Sequence, residues 1–387
     1  MKTITCISMK AVNIPKSIST SLILMNTRLP LVAIVLVMLL LIGCSENSDP
    51  TKNIRTNTVP PIEVEHVLSI FESDEDYINY TTTLITTPQG EIIFNDPDNH
   101  RLMVYGTDGQ FRQQIGRSGS GPGEFLHLIT IIMSPDGKLY VPDLRQARTT
   151  IFHKPDQEWI IDRVLTHTES GMYPQAVNGT DAVFRASLSQ SPTPEVYTYK
   201  HWIASGSIED DIELGPKIEV DDVTFLLTPS GDSFSMILVP YSTPTLTKTD
   251  NQGNLYMLKS GESVIRKYNA KMEVLDTIQI QLDPVPTTTA ELDSALVRSN
   301  QSFHNLIISH FPTHKSLVVS FHVDDEGRYW LETNDSPKYV VLDSTGNPIG
   351  SFDVPEGLRF LHASQNRLYF TSSSSEPFRV DVYEAKW

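Results

Sequence analysis

Residues 130–156 read TIIMSPDGKLYVPDLRQARTTIFHKPD, and this stretch indicates the fold class of the whole chain. An apolar run is followed by an Asp-Gly turn, a second apolar run, a polar loop and a third apolar run. Short runs rich in β-branched and aromatic residues, bounded by turn residues, are typical of antiparallel β-strands. The stretch therefore predicts three consecutive strands of one sheet.

The same pattern recurs along the chain, which makes it a repeat rather than an isolated hairpin. Its copies cover residues 82–109, 130–156, 173–202 (a degenerate copy), 245–271, 319–346 and 358–385. Their first turns are centred on Gly90, Gly137, Gly179, Gly253, Gly327 and Asn366. Gly and Asn suit tight hairpins because such turns need a positive φ. Units of this kind bury their apolar faces only by stacking on their neighbours.

The two ends of the repeat array complement each other. The last copy lacks a fourth strand, whereas IEVEHVLSIF, Ile62–Phe71, precedes the first copy. Pairing this segment into the last sheet would complete it and remove an open edge. We therefore predict an all-β fold, a six-bladed β-propeller over residues 62–387 that its N-terminal strand closes.

Two gaps between the turns are too long for the repeat and indicate insertions near 215–245 and 283–315. The second insertion contains TTTAELDSALVRSNQSFHNLIISHF, residues 287–311. Its apolar residues recur at helix-like intervals, and Glu291 follows a run of Thr, as at a helix N-terminus. We therefore predict a short helical insertion there.

The N-terminal segment predicts export. The uncharged run LPLVAIVLVMLLLI, Leu29–Ile42, follows Arg28 and is too short to span a bilayer comfortably. It ends in Leu41-Ile42-Gly43-Cys44, which resembles the lipobox of bacterial lipoproteins. This resemblance implies that residues 1–43 are a signal peptide, with Met25 as an alternative start, and that Cys44 carries lipid. A single-pass anchor is the alternative.

The polar residues 44–61 after the lipobox predict a flexible tether. Ser45 follows Cys44, and by resemblance to lipoprotein sorting patterns this favours the outer membrane of the cell envelope.

Charge and cysteine content exclude several classes of protein. The net charge is −17, and residues 44–387 carry 26 basic against 47 acidic side chains, because the leader has four basic residues and no acid. Such an acidic body argues against nucleic acid and against electrostatic docking on anionic lipid. Cys6 lies in the leader, so Cys44 is the one cysteine that remains after processing. An intramolecular disulfide and a Cys-based zinc site are thereby excluded.

A known repeat family is visible in Ile115–Phe152, whose sequence is IGRSGSGPGEFLHLITIIMSPDGKLYVPDLRQARTTIF. Its glycine-rich turn from Gly116 to Phe125, its Asp136-Gly137 hairpin and its strand-terminal Asp143 resemble the NHL repeat. The body with its tether and insertions also resembles six-bladed propeller lipoproteins of the Bacteroidetes type. These resemblances imply a propeller in the cell envelope.

Polar residues at one rim of the predicted channel are candidates for ligand binding, since a concave mouth with convergent polar groups is the usual place for a site. They lie in loops between second and third strands, at one strand end and between sheets: Asp96, His100, Arg117, Glu124, Asp143, Arg145 and Arg185. Asp96 and Asp143 could instead cap strand-end turns. Arg145 and Arg185 could instead form salt bridges or lie on the surface.

We predict no catalytic residues, no metal site and no cofactor. His304, His310 and His314 lack the spacing of a zinc motif. The GRSGSGPG turn lacks the Lys-Ser/Thr and the helix of a phosphate loop.

Two functions stay open. The first is a membrane-anchored module that binds a ligand, or an envelope protein, peptide or glycan. The second is a metal-dependent propeller hydrolase or lyase, similar to lactonases, with its site in the central channel.

Overall fold

A computed structural model describes residues 59–71, 77–167, 171–188, 195–209, 212–230, 233–242, 244–259, 262–336, 338–372 and 377–387. The predicted signal peptide, Cys44 and residues 44–58 of the predicted tether lie outside the described residues. Within the described ranges, no helix has the length and apolar character needed to cross a bilayer.

Antiparallel strands make up six sheets in the described part of the chain. The first sheet contains β2 (Leu84–Thr86), β3 (Ile92–Asp96), β4 (Arg101–Tyr105) and β5 (Phe111–Ile115). The second contains β6 (Ile132–Met133), β7 (Leu139–Asp143), β8 (Arg148–His153) and β9 (Ile160–Thr166). The third contains β10 (Tyr173–Asn178), β11 (Asp181–Leu188), β12 (Glu195–Ser207), β13 (Ile218–Ser230) and β14 (Ser233–Leu238).

The remaining three sheets have four strands each. The fourth contains β15 (Leu246–Thr249), β16 (Leu255–Leu258), β17 (Val264–Tyr268) and β18 (Val274–Gln279). The fifth contains β19 (Ser320–Val323), β20 (Tyr329–Glu332), β21 (Tyr339–Leu342) and β22 (Pro348–Phe352). The sixth contains β23 (Leu358–Ser364), β24 (Arg367–Ser372) and β25 (Arg379–Lys386), together with β1 (Glu63–Phe71).

Buried apolar side chains join each sheet to the next, so that the six sheets share six interfaces. Each interface is one cluster with members from both sheets. Representative pairs of members, in chain order, are Leu102 and Leu139, Ile151 and Phe184, Val183 and Leu255, Ile265 and Phe321, Trp330 and Phe370, and Val380 and Phe94. Non-directional burial of this kind drives the stacking of sheets whose faces are apolar on both sides. The result is a β-propeller of six sheets.

The innermost strand of each sheet is the one that begins its repeat: β2, β6, β10, β15, β19 and β23. Contacts run directly between β2 and β23, β23 and β19, β19 and β15, β15 and β10, and β10 and β6. These strands therefore surround the central channel of the propeller.

The six predicted turn residues all have a positive φ. Gly90, Gly137, Gly179, Gly253, Gly327 and Asn366 have φ values between 59° and 83°. Residues other than Gly and Asn pay a steric penalty in this region, which explains why these two types recur at the turns. The repeat pattern thus predicted the local backbone correctly.

The sixth sheet contains both the first and the last of the described strands. β1 pairs antiparallel with β25, from Glu63 opposite Lys386 to Phe71 opposite Arg379, with a bulge between His66 and Leu68. Ile70 of β1 is buried at the interface between the sixth and first sheets.

The two long gaps in the repeat contain additional elements. Strands β13 and β14 extend the third sheet to five strands. Helices α1 (Thr289–Arg298) and α2 (His304–His310) occupy the second gap and pack on that extension. Thr288 and Glu291 form a capping box at the start of α1, the signature of an N-terminus. The predicted single helix is interrupted, because Ser299 is extended and Asn300 caps a short 3-10 turn.

Candidate functional site

The polar residues predicted for the rim in the first sheet are held by internal bonds. Asp96 is fully buried at the end of β3, and its carboxylate is 2.7 Å from Nε of Arg101. The backbone and side-chain N–H groups of Asn99 donate to the same carboxylate. His100 adopts a positive φ of 53° in this turn. Asp96 therefore joins β3 to β4 and has its oxygen atoms occupied within the protein.

Asp143 has the same role at the end of β7. It is 1% exposed and accepts hydrogen bonds from the backbone N–H groups of Leu126, Arg145 and Gln146, and from Nε2 of Gln146. Its distance to the Leu126 nitrogen is 2.7 Å. Asp143 thus connects the β7–β8 turn to the end of the glycine-rich segment.

The glycine-rich segment brings Arg117 and Glu124 together. The Arg117 guanidinium lies 2.8 Å from the Glu124 carboxylate, while the Arg117 side chain is 77% exposed. The N–H of Gly121 and then Arg117 hold the pKa of Glu124 below its usual value. Arg148 donates to the carbonyl of Glu124 and Gln146 also bonds to that carbonyl. The segment is therefore fixed to the second sheet, with Arg117 and the exposed Arg145 at the surface.

Arg185, the predicted residue in the third sheet, is paired as well. Its guanidinium lies 2.7 Å from Asp222 on β13 and 3.1 Å from Nδ1 of His201 on β12. Because a guanidinium can only donate, Nδ1 of His201 must accept and the imidazole is neutral. Burial, and then the charge of Arg185, lower the pKa of His201 to about 3.

Because the buried His201 is neutral in the folded chain, we expect the free energy of unfolding to fall in mild acid. Its pKa is lower in the folded chain than in the unfolded chain, so the unfolded state takes up a proton first as pH falls below about 6.5. We expect His201 alone to lower the free energy of unfolding by about 2 kcal/mol between pH 7 and pH 5. The free energy of unfolding would be measured in urea at both pH values. The difference between pH 7 and pH 5 should be smaller in His201→Gln than in wild type, and it should be unchanged in the exposed control His127→Gln. An unchanged pH dependence in His201→Gln would contradict the assignment.

The predicted rim residues do not line the cavity at the centre of the propeller. This cavity has a volume of about 420 Å³, within the range of roughly 300–1,000 Å³ that is typical of small-molecule pockets. Residues in or next to the innermost strands of all six sheets surround it. Neutral polar groups come from the first five sheets: Thr82, Thr83, Thr130, Tyr173, Gln175, Thr247, Thr249 and Ser320.

Basic side chains dominate the other part of the wall. Lys248 on β15, His322 on β19, and Arg359 and His362 on β23 all line the cavity. Among the described residues, no carboxylate forms an ion pair with Lys248 or Arg359. Arg359 donates to the backbone carbonyl of Thr81 at 2.7 Å and so connects β23 to the segment before β2.

Among the residues that the structure describes, Glu332 is the single carboxylate in the cavity wall, and its charge is neutralised by neighbouring groups. It accepts a hydrogen bond from Oγ of Ser320 at 2.7 Å, and Nζ of Lys338 lies 3.1 Å from its other oxygen. Burial, and then the charge of Glu332, raise the pKa of Tyr339 beside it. Glu332 therefore leaves the basic side chains of the cavity uncompensated.

Burial, with a smaller contribution from neighbouring positive charge, lowers the pKa values of these side chains. Burial, and then Arg359, lower the pKa of Lys248. Burial, and then Lys248, lower the pKa of His322 well below its usual value. Burial lowers the pKa of His362 to about 4, with a further contribution from Lys248 opposed by Asp325. The cavity thus brings together Lys248 and Arg359, which have no carboxylate partner among the described residues, and two histidines that are held neutral.

Sequence reasoning missed these residues because it placed the site in the loops. Lys248 and His322 stand five residues before the turn glycines of their repeats, where the first two copies have Ile85 and Ile132. A basic residue at an otherwise apolar position of an innermost strand was the available signal. An unpaired charge at such a place is costly and therefore more informative than a polar loop residue.

Cavity chemistry favours anions. Within the described residues, no three His, Cys, Asp or Glu side chains are grouped so that they could hold a metal ion. A basic wall also repels cations, whereas it offers N–H donors to oxyanions.

Comparisons with known proteins agree with the fold. The model of a family described as "6-bladed beta-propeller" matches residues 71–152. No curated protein sequence matches the chain significantly. A solved structure of a candidate exported protein from Bacteroides fragilis is 12% identical and has a TM-score of 0.53, with 86% of this chain and 97% of that chain covered.

Two further solved structures are similar at lower TM-scores. A member of the DUF4221 family from Bacteroides vulgatus is 12% identical, with a TM-score of 0.47 and coverage of 84% of this chain and 98% of that one. Virginiamycin B lyase from Staphylococcus aureus is 11% identical, with a TM-score of 0.40 and coverage of 84% and 99%. The likeness to the Bacteroides fragilis structure, at 12% identity and a TM-score of 0.53, shows a shared fold alone. The chain is therefore an all-β protein with a β-propeller fold, similar in architecture to a candidate exported protein of Bacteroides.

Proposed function

We propose that this protein is an exported, lipid-anchored binding module whose central cavity takes a small polar ligand. One observation carries the proposal: all six sheets contribute to the cavity wall, and its Lys and Arg side chains have no carboxylate partner among the described residues. An unpaired charge in a partly buried site is costly in the absence of a ligand. A ligand that pairs with these groups would relieve that cost.

The anchor is part of the same proposal. Residues 1–43 act as a signal peptide, Cys44 carries the lipid at the outer membrane, and residues 44–61 form the tether that leads into β1. The propeller ring is then closed where β1 pairs with β25, which keeps the body near the membrane. The exposed Arg117 and Arg145 are the proposed contacts with an envelope protein, peptide or glycan.

Lipid attachment gives a direct prediction. In a Gram-negative host that is fed labelled palmitate, the wild-type chain should incorporate the label and partition into detergent. Cys44→Ala should lose most of the label, because its thiol is the proposed site of attachment, whereas Cys6→Ala should keep it. Labelling of Cys44→Ala at the wild-type level would contradict the anchor.

A metal-dependent hydrolase or lyase, the other function open from the sequence, gains no support from the cavity. Lys248 and Arg359 would place positive charge beside the cation that such a mechanism requires. Coulomb repulsion at short range in a partly buried site opposes that arrangement.

Filling the cavity tests its role in binding. The full chain, purified from membranes in neutral detergent, would be titrated with D-glucose, D-glucosamine, D-glucuronate and D-glucose 6-phosphate while its thermal midpoint is followed. We expect at least one of these probes to stabilise the wild-type protein. We expect Thr83→Trp and Ser320→Phe, which place bulk in the cavity, to lose that stabilisation. The surface variant Thr345→Trp serves as the control. Stabilisation that persists in both cavity variants would contradict the site.

A further inference from the structure

The cavity has two chemically different sides. Lys248, His322, Arg359 and His362 belong to the innermost strands of three consecutive sheets, the fourth, fifth and sixth. The pKa of His322 responds to the charges of Lys248, His362 and Arg359, so all four basic groups act on the same small volume. Lys248 and Arg359 on this wall offer charge-assisted hydrogen bonds to one oxyanion.

Neutral groups from the first three sheets form the other side. Thr82, Thr83 and Thr130 contribute hydroxyl groups, and Tyr173 and Gln175 contribute a phenol and an amide. Oε1 of Gln175 is a buried acceptor without a hydrogen-bond partner, although its amide nitrogen bonds to Thr247 at 3.3 Å. A buried acceptor of this kind calls for a donor, and a ligand hydroxyl is such a donor.

We propose that the ligand is a small organic anion that carries hydroxyl groups, with its carboxylate or phosphate on the basic wall and its hydroxyls on the neutral wall. This inference rests on the proposed function, since it names the class of ligand for the same cavity. It is unexpected from composition, because the protein has a net charge of −17. An acidic surface around a basic cavity restricts anion binding to ligands small enough to enter it.

Binding should couple to protonation of the cavity. The charged or titratable groups around His362 are Lys248 on β15, His322 on β19, Asp325 after β19, Arg359 on its own strand and Tyr369 on β24. A bound anion adds negative charge, which favours the protonated imidazole and ammonium. The complex therefore takes up protons, and affinity for an anion that stays fully charged rises as pH falls from neutrality towards the pKa of His362.

The test compares matched probes on the full chain in neutral detergent. D-Glucuronate differs from D-glucose by a carboxylate, and D-glucose 6-phosphate differs by a phosphate. Calorimetric titration should give at least about tenfold tighter binding of one anion than of glucose, since the anion adds charge-assisted hydrogen bonds. The two anions distinguish a carboxylate ligand from a phosphate ligand.

Substitutions in the basic wall test whether its side chains bind the anion. Lys248→Met and Arg359→Gln should each weaken binding of the preferred anion by about tenfold and weaken binding of glucose by clearly less. Lys271→Met, which changes a surface cation that pairs with Asp181, is the matched control. Titrations in two buffers with different ionisation enthalpies should show net proton uptake for the wild type that is reduced in Lys248→Met. A merely structural role of Lys248 would leave proton uptake unchanged.

The outcomes separate the two proposals. If glucose or glucosamine binds as tightly as the anions, and Thr83→Trp abolishes that binding, the cavity is a ligand site and the anionic class is wrong. If the anions bind but Thr83→Trp and Ser320→Phe have no effect, the cavity is not the site and both proposals are wrong. If neither anion binds at millimolar concentration, the anionic class is also wrong.

Discussion

Ile70→Asp should lower the free energy of unfolding by about 4 kcal/mol, which is expected to leave little folded protein at 37 °C. Ile70 is 2% exposed in β1 and belongs to the apolar cluster between the sixth and first sheets. The substitution removes buried apolar surface and places a carboxylate where no described cation is at hand to pair with it. Because β1 is the proposed closing strand, its loosening exposes the edge of β25 as well.

Phe71→Asp is the matched control on the same strand. Phe71 is the next residue and is 64% exposed, so the same new charge there should cost less than about 0.5 kcal/mol. Urea unfolding followed by tryptophan fluorescence measures both variants. Similar midpoints for Ile70→Asp and wild type would show that the ring does not depend on β1.

Asp143→Ala should be the second most damaging change and should lower the free energy of unfolding by about 3 kcal/mol. The carboxylate accepts three backbone hydrogen bonds and one from Gln146, and its removal leaves these donors near the protein interior without an acceptor. Asp143→Asn keeps one acceptor oxygen at the same place, so it should lower the free energy of unfolding by less than Asp143→Ala does.

Arg117→Ala tests the contrast between an internal and an exposed predicted rim residue. Its guanidinium pairs with Glu124 but is 77% exposed, and surface ion pairs contribute little. The thermal midpoint of Arg117→Ala should therefore stay close to that of wild type. If Asp143→Ala were equally harmless, Asp143 would be free for the ligand role that its position in the sequence suggested.

The repeat predicted the fold well because it is encoded locally. A positive φ at a hairpin turn and a run of apolar residues beside it are properties of a few consecutive residues, as at Gly137 and at β7. The packing of sheet on sheet follows from apolar faces that cannot be buried in one repeat alone. The interruption of the helical insertion at Ser299 and Asn300 depends on how α2 packs on β13 and was not visible in the periodicity.

Less of the candidate site could be predicted. Asp96 and Asp143 were predicted as rim candidates because they are polar residues at strand ends. Their oxygen atoms, however, accept hydrogen bonds within the protein. Lys248 and Arg359 are more than one hundred residues apart in sequence, and only the circular arrangement of sheets places them in one cavity. The net charge of the chain likewise does not reveal the basic cavity, because a sum of charges contains no information on where each charge lies.

The central claim is most directly tested by the crystal structure of the protein with bound D-glucuronate. The account predicts one sugar in the central cavity, with its carboxylate within hydrogen-bond distance of Arg359 or Lys248 and a hydroxyl donating to Oε1 of Gln175. Density for the sugar at the rim near Arg117, or in the cavity with its carboxylate turned away from both basic side chains, would contradict it.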